Sequence, residues 1–147
     1  MNRKIPWQKP ILFVLLLSPF ALLVVDIFLD NLIDSVEEIT TFTGQWALRF
    51  LLLTLAISPL NKFLPFSIIK YRRMIGVFSF FYAFMHFTIW LIDQEFAVQI
   101  IIQDIIKRPY ITVGFSALLL LFLLAITSTN KMMRLLGRHW KKLHKSI

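Results

Sequence analysis

MIGVFSFFYAFMHFTIWLI, residues 74–92, is an apolar run of the length that crosses a hydrocarbon layer, entered from Lys70, Tyr71, Arg72 and Arg73 and carrying a single ionisable side chain, His86. Three further runs resemble it. Residues 11–29 are interrupted only by Ser18, Pro19 and Asp26; residues 43–60 stop at Ser58-Pro59, ahead of Asn61, Lys62 and Pro65; residues 109–127 open on Pro109, whose missing N–H costs nothing in the first turn of a helix. Residues 96–106 are apolar but too short to span, so they read as an interfacial or re-entrant segment. The expected fold is an all-α integral membrane helical bundle of about four transmembrane helices, over 11–29, 43–60, 74–92 and 109–127, forming one domain across residues 1–147.

Composition agrees with a membrane as the solvent. Of 147 residues, 58% are hydrophobic and 15% aromatic, and the mean hydropathy of +0.73 is too high for an ordinary soluble domain. A net charge of +8 could suggest nucleic acid, but the basic residues sit in short clusters between the apolar runs and form no binding face. The chain has no cysteine, which excludes disulfides, thiolate metal sites and Cys-ligated iron–sulfur clusters; a redox centre held by side chains would use His, Met or carboxylates. The first run could be a signal peptide, yet it is longer than a signal core and is followed by Asp30, Asn31 and Leu32 with no small-residue cleavage site, so an uncleaved helix is expected.

Charge sets the orientation. Arg3, Lys4 and Lys9 precede the first run, Lys62, Lys70, Arg72 and Arg73 separate the second and third, and Lys131, Arg134, Arg138, Lys141, Lys142 and Lys145 follow the fourth. Four alternating helices put these thirteen of the sixteen basic residues on one side, with Asp30, Asp34, Glu37 and Glu38 opposite. The positive-inside rule then places both ends of the chain in the cytoplasm.

Ser79, Tyr82 and His86 recur at helical spacing among Phe78, Phe80, Phe81 and Phe84, so they share an inward stripe. An ionisable group at that depth needs a partner: a hydroxyl on a neighbouring helix, or a metal. His139 and His144, beside Trp140 in a basic stretch, fit a juxtamembrane segment at the lipid surface. Arg49 could pair with Asp26 across two helices or neutralise an acidic group of a cofactor. Thr112, Ser116 and Thr127 make a small polar stripe suited to helix packing.

The segments TGQWALRFLL (43–52), RRMIG (72–76), YAFMH (82–86), KRPYITVG (107–114), TSTN (127–130) and WKKLH (140–144) occur in this order and at these separations. Together they resemble the MsrQ family, also called YedZ, the haem-binding membrane subunit of the bacterial methionine sulfoxide reductase system, related to ferric-reductase-like transmembrane domains. The resemblance covers most of the chain from Phe42 onward; the first helix matches only in hydrophobicity. It implies a haem b protein of the inner membrane, with flavin mononucleotide as a further cofactor. Such a protein takes electrons from a cytosolic flavin reductase or from quinone and passes them to a periplasmic molybdopterin enzyme, MsrP, which repairs oxidised methionines. It is an electron-transfer subunit and not itself the catalytic reductase. Carried over by position, His86 and His144 are haem-iron ligands and Arg49 a cofactor-binding residue.

The family continues past Lys145-Ser146-Ile147 into further helices with a third histidine, so the sequence is expected to be a C-terminally truncated form. His86 lies 12 residues past Met74, about 18 Å above the inner surface where His144 sits, so the two are not expected to share one iron. A membrane structural or transport subunit without a redox cofactor is the alternative, although His86 alone is thin support for an ion path.

Overall fold

The computed structural model describes residues 7–29, 35–65, 67–137 and 139; His144, and with it one expected ligand, lies outside the described residues. The elements are α1 Gln8–Phe28, α2 Ser35–Leu60, α3 Ile69–Asp93, α4 Val98–Lys107, α5 Pro109–Thr127 and α6 Asn130–Leu136, with no strand among the described residues. The chain is a membrane helical bundle: α1, α3 and α5 are long and apolar enough to cross a bilayer. The 26 residues of α2 are also long enough, but Gln45 and Arg49 make it less apolar.

The second helix begins earlier than the apolar run that announces it. Residues 35–42 are polar and were expected in a loop, yet they are helical, with Glu37 and Glu38 in the first turn facing the positive end of the helix dipole. At 1.5 Å per residue α2 is about 39 Å long, more than a hydrocarbon layer needs.

α3 is the central element. It runs antiparallel to α2, and the two meet wherever small residues let the backbones close: Ser79 Oγ donates to the Ala47 carbonyl at 3.0 Å, and a Cβ on Gly76 would stand 3.4 Å from Thr54 Cγ2. α1 runs parallel to α3. Near their starts, Lys70 Nζ donates to Gln8 Oε1 at 3.1 Å and the Tyr71 hydroxyl donates to the same oxygen. α5 is antiparallel to α3 again, joined by the ring pairs Phe80–Phe122 and Phe87–Phe115.

The core lies among α1, α2 and α3, where Leu16, Phe50, Ile57, Ile75, Phe78 and Tyr82 are buried together. Edge-on aromatic pairs such as Phe13–Phe78 and Phe50–Tyr82, with centroids 5.2 and 5.3 Å apart, each add about 0.5–1.5 kcal/mol beyond the area they bury. Outside this seam the large side chains face outward. Val14, Leu15 and Leu22 on α1 and Leu119, Phe122 and Leu123 on α5 are exposed, as lipid-facing positions are.

Pro19 breaks the hydrogen-bond ladder of α1, and the fold repairs it from outside. Proline has no N–H for the Leu15 carbonyl, which Ser18 Oγ satisfies at 2.8 Å. At the next rung the Tyr82 hydroxyl inserts, accepting from the Phe20 N–H at 2.9 Å and donating to the Leu16 carbonyl at 3.1 Å. Tyr82 is 0% exposed, so these are its working partners and not an accident of a surface side chain.

Most of residues 96–106, expected at the interface, lie in the short α4, which packs against α5. Thr112 Oγ1 donates to the Ile105 carbonyl and thereby ties the two helices. The joint between α3 and α4 passes through Glu95 and Phe96 with φ of 49° and 56°, a left-handed turn that costs non-glycine residues about 1–2 kcal/mol each.

Candidate functional site

The inward stripe of α3 resolves into three distinct roles. Ser79 locks α3 to α2, Tyr82 locks it to α1, and His86 reaches α2 near its N-terminal end. His86 Nδ1 lies 2.8 Å from the Thr40 carbonyl oxygen. A carbonyl can only accept, so Nδ1 carries the proton and donates it, and Nε2 is left with the ring's free lone pair. The partner is therefore a backbone carbonyl and not the hydroxyl that the sequence suggests.

Position 44 makes this approach possible. A Cβ on Gly44 would stand 3.0 Å from both Cε1 and Nδ1 of His86, tighter than nearly all side-chain contacts, so the ring would have to give by a few tenths of an ångström. The imidazole edge therefore packs against bare backbone, one turn from the carbonyl it bonds. Thr43 beside it is fully buried, its hydroxyl donating to the Ile39 and Thr40 carbonyls at 2.8 and 3.0 Å. Gly44 appears in the sequence only as one letter of the TGQW segment; that just four glycines occur in 147 residues is the signal that could have singled it out.

Arg49 is about 21 Å along α2 from Ser35, near the level of Ser79 on α3. It is exposed on the helix surface, its guanidinium 4.8 Å from the Trp46 ring centre and donating to Gln45 Oε1 at 3.3 Å. The Trp46 indole N–H is buried with no hydrogen-bond partner among the described residues. A cation and an orphaned donor thus sit within one turn of each other on α2, an arrangement that an acidic acceptor would relieve.

Among the described residues no three His, Asp or Glu side chains gather into a metal site, so His86 offers one nitrogen, not a cage. A cleft of about 410 Å³ opens between α2, α3 and α5, walled by Thr54, Leu55, Gly76 and Leu121, with Arg72 and Arg73 also in its lining. Gly76 is ten residues from His86, about 15 Å along α3, so this cleft is separate from the histidine. The hydroxyls of Ser116 and Thr127 bond carbonyls of their own helix at 2.8 and 2.7 Å. Outside the spans, the Tyr110 hydroxyl and then Asp104, 3.2 Å away, hold the Arg108 guanidinium above its usual pKa. His139 is exposed.

The family described as ferric reductase like transmembrane component matches residues 43–147. This chain belongs to that family. Its curated relatives include the protein-methionine-sulfoxide reductase heme-binding subunit MsrQ of Herminiimonas arsenicoxydans, 48% identical over 95% of this chain and 66% of the relative. The proteins of the same name from Brucella ovis and Brucella canis are 44% identical over 78% of this chain and 52% of their own length. The chain therefore spans between half and two thirds of these relatives, and the family match runs from Thr43 in α2 through α6, including Gly44, Arg49 and His86. No solved structure matches.

Proposed function

We propose that this chain is the haem b-binding electron-transfer part of an inner-membrane protein that serves a methionine sulfoxide reductase system. The observation that carries the reading is His86: a histidine inside a membrane helix, its Nδ1 committed to a backbone carbonyl, its Nε2 free to act as an axial ligand. The relatives' name, heme-binding subunit, is in keeping with this.

When bound, haem supplies a one-electron carrier that needs no proton and no mobile group. The protein's residues do the rest. His86 would hold the iron, Arg49 and the Trp46 N–H would suit an acidic group of the cofactor, and the phenylalanines of α3 would keep the surroundings dry. His144 is proposed as a second iron ligand at the inner surface. Flavin mononucleotide as a further cofactor, a cytosolic flavin reductase or quinone as donor, and the periplasmic molybdopterin reductase MsrP as acceptor complete the proposal. α2 is proposed as a fourth crossing, with both ends of the chain cytoplasmic.

Membranes containing the chain, made with ample haem, should show a Soret band that responds to dithionite and is lost in His86→Ala. A wild-type spectrum without the band, or one that His86→Ala leaves intact, would overturn the assignment.

A further inference from the structure

We propose that Gly44 is a positioning residue for His86, and that its contact with the Thr40 carbonyl sets the ligand's tautomer and its electron-donating strength. The inference rests on the reading of His86 as an iron ligand and adds what holds and tunes it.

Three facts converge. The ring nitrogen is 2.8 Å from a carbonyl in the middle of a helical turn, an acceptor that Thr43 Oγ1 also uses at 3.0 Å. The ring reaches it because position 44 has no side chain, any Cβ there standing 3.0 Å from two ring atoms. The helix beneath is itself fixed, since Ser79 and Tyr82 on the same stripe of α3 are fully buried and bonded to α2 and α1. The imidazole is thus pinned at one nitrogen on a rigid platform.

The chemical consequence follows from the tautomer. With Nδ1–H held by the carbonyl, Nε2 is the ligating atom, and the hydrogen bond pushes electron density through the ring toward it. A more basic axial ligand favours the ferric state and lowers the haem potential. Gly44→Ala displaces the ring, releases Nδ1–H and permits the opposite tautomer, so the potential rises and the haem is held about 10-fold less tightly.

The test has two readouts. Nitrogen-15 spectra of the chain in lipid nanodiscs, haem-free, should show His86 with a protonated Nδ1 and a bare Nε2. Gly44→Ala should shift it toward a mixture, whereas Gly114→Ala, at a glycine with nothing within 4 Å of where its Cβ would lie, should not. In haem-loaded protein the potential should rise in Gly44→Ala and stay fixed in Gly114→Ala. A wild-type His86 protonated at Nε2 would overturn the inference before any variant is made, and so would a Gly44→Ala protein with unshifted ring signals and potential. Nδ1–H intact in a protein that never takes up haem would overturn the functional reading, and with it the purpose given to the contact; bound haem with an unshifted variant would overturn the positioning role alone.

Discussion

Single side chains on α3 do work that a hydrophobic count cannot see. Tyr82 closes the rung of α1 that Pro19 disturbs, so Tyr82→Phe leaves the Phe20 N–H and the Leu16 carbonyl without that bridge in a place water does not reach. The expected cost is about 1–2 kcal/mol, read as a lower melting temperature in detergent, with helical content unchanged. A variant as stable as the wild type would mean that α1 re-forms the rung unaided. Arg49 gives the second prediction at this scale. If it faces an acidic edge of the haem, Arg49→Leu removes a nearby positive charge and should lower the midpoint potential by about 60 mV, the one-electron equivalent of about 1.4 kcal/mol. Asp26→Asn should leave potential and spectrum alone. Equal shifts from both variants would favour a plain Asp26–Arg49 ion pair.

The helices show which features a sequence displays and which it hides. The inward stripe of Ser79, Tyr82 and His86 was legible because helical spacing alone puts polar residues on one face, and Pro109 at the start of α5 because its chemistry suits only a first turn. The start of α2 was not. Hydropathy marks the part of a helix that sits in lipid, and residues 35–42 are helical for another reason, the acidic first turn and the packing against α3. That hidden extension carries the site, since Thr40 lies within it and bonds His86. Nor could spacing reveal that the partner of His86 is a carbonyl, because every residue has one and only a neighbouring glycine exposes it. The absence of native cysteine allows a direct check. In spheroplasts, Glu38→Cys should react with a membrane-impermeant maleimide, and Leu53→Cys, on the lipid-facing surface of the same helix, should not. A protected Glu38→Cys would put the first turns of α2 inside the bilayer.

At the scale of the whole molecule, the number of crossings and the orientation are one question. Gln8, at the start of α1, bonds Lys70 and Tyr71 at the start of α3, while the middle of α1 bonds Tyr82, so α1 and α3 run side by side in the same direction. Two parallel crossings need an odd number of crossings between them, and α2, antiparallel to α3 along its length, is the one available. Were α2 to lie on the surface, Lys62, Lys70, Arg72 and Arg73 would be carried to the side opposite Lys9, against the tendency of basic residues to stay in the cytoplasm. Geometry and charge thus favour the same answer by independent routes. A reporter fused after Lys142 should be active only as a cytoplasmic reporter, and one inserted within residues 30–34 only as a periplasmic one. Cytoplasmic activity from both would mean an even number of crossings between the two sites, so that one of α2, α3 and α5 does not cross. The exchanged result would keep α2, α3 and α5 as crossings and invert them, moving His86 from the outer half of the membrane to the inner, where an electron bound for the periplasm would enter and not leave.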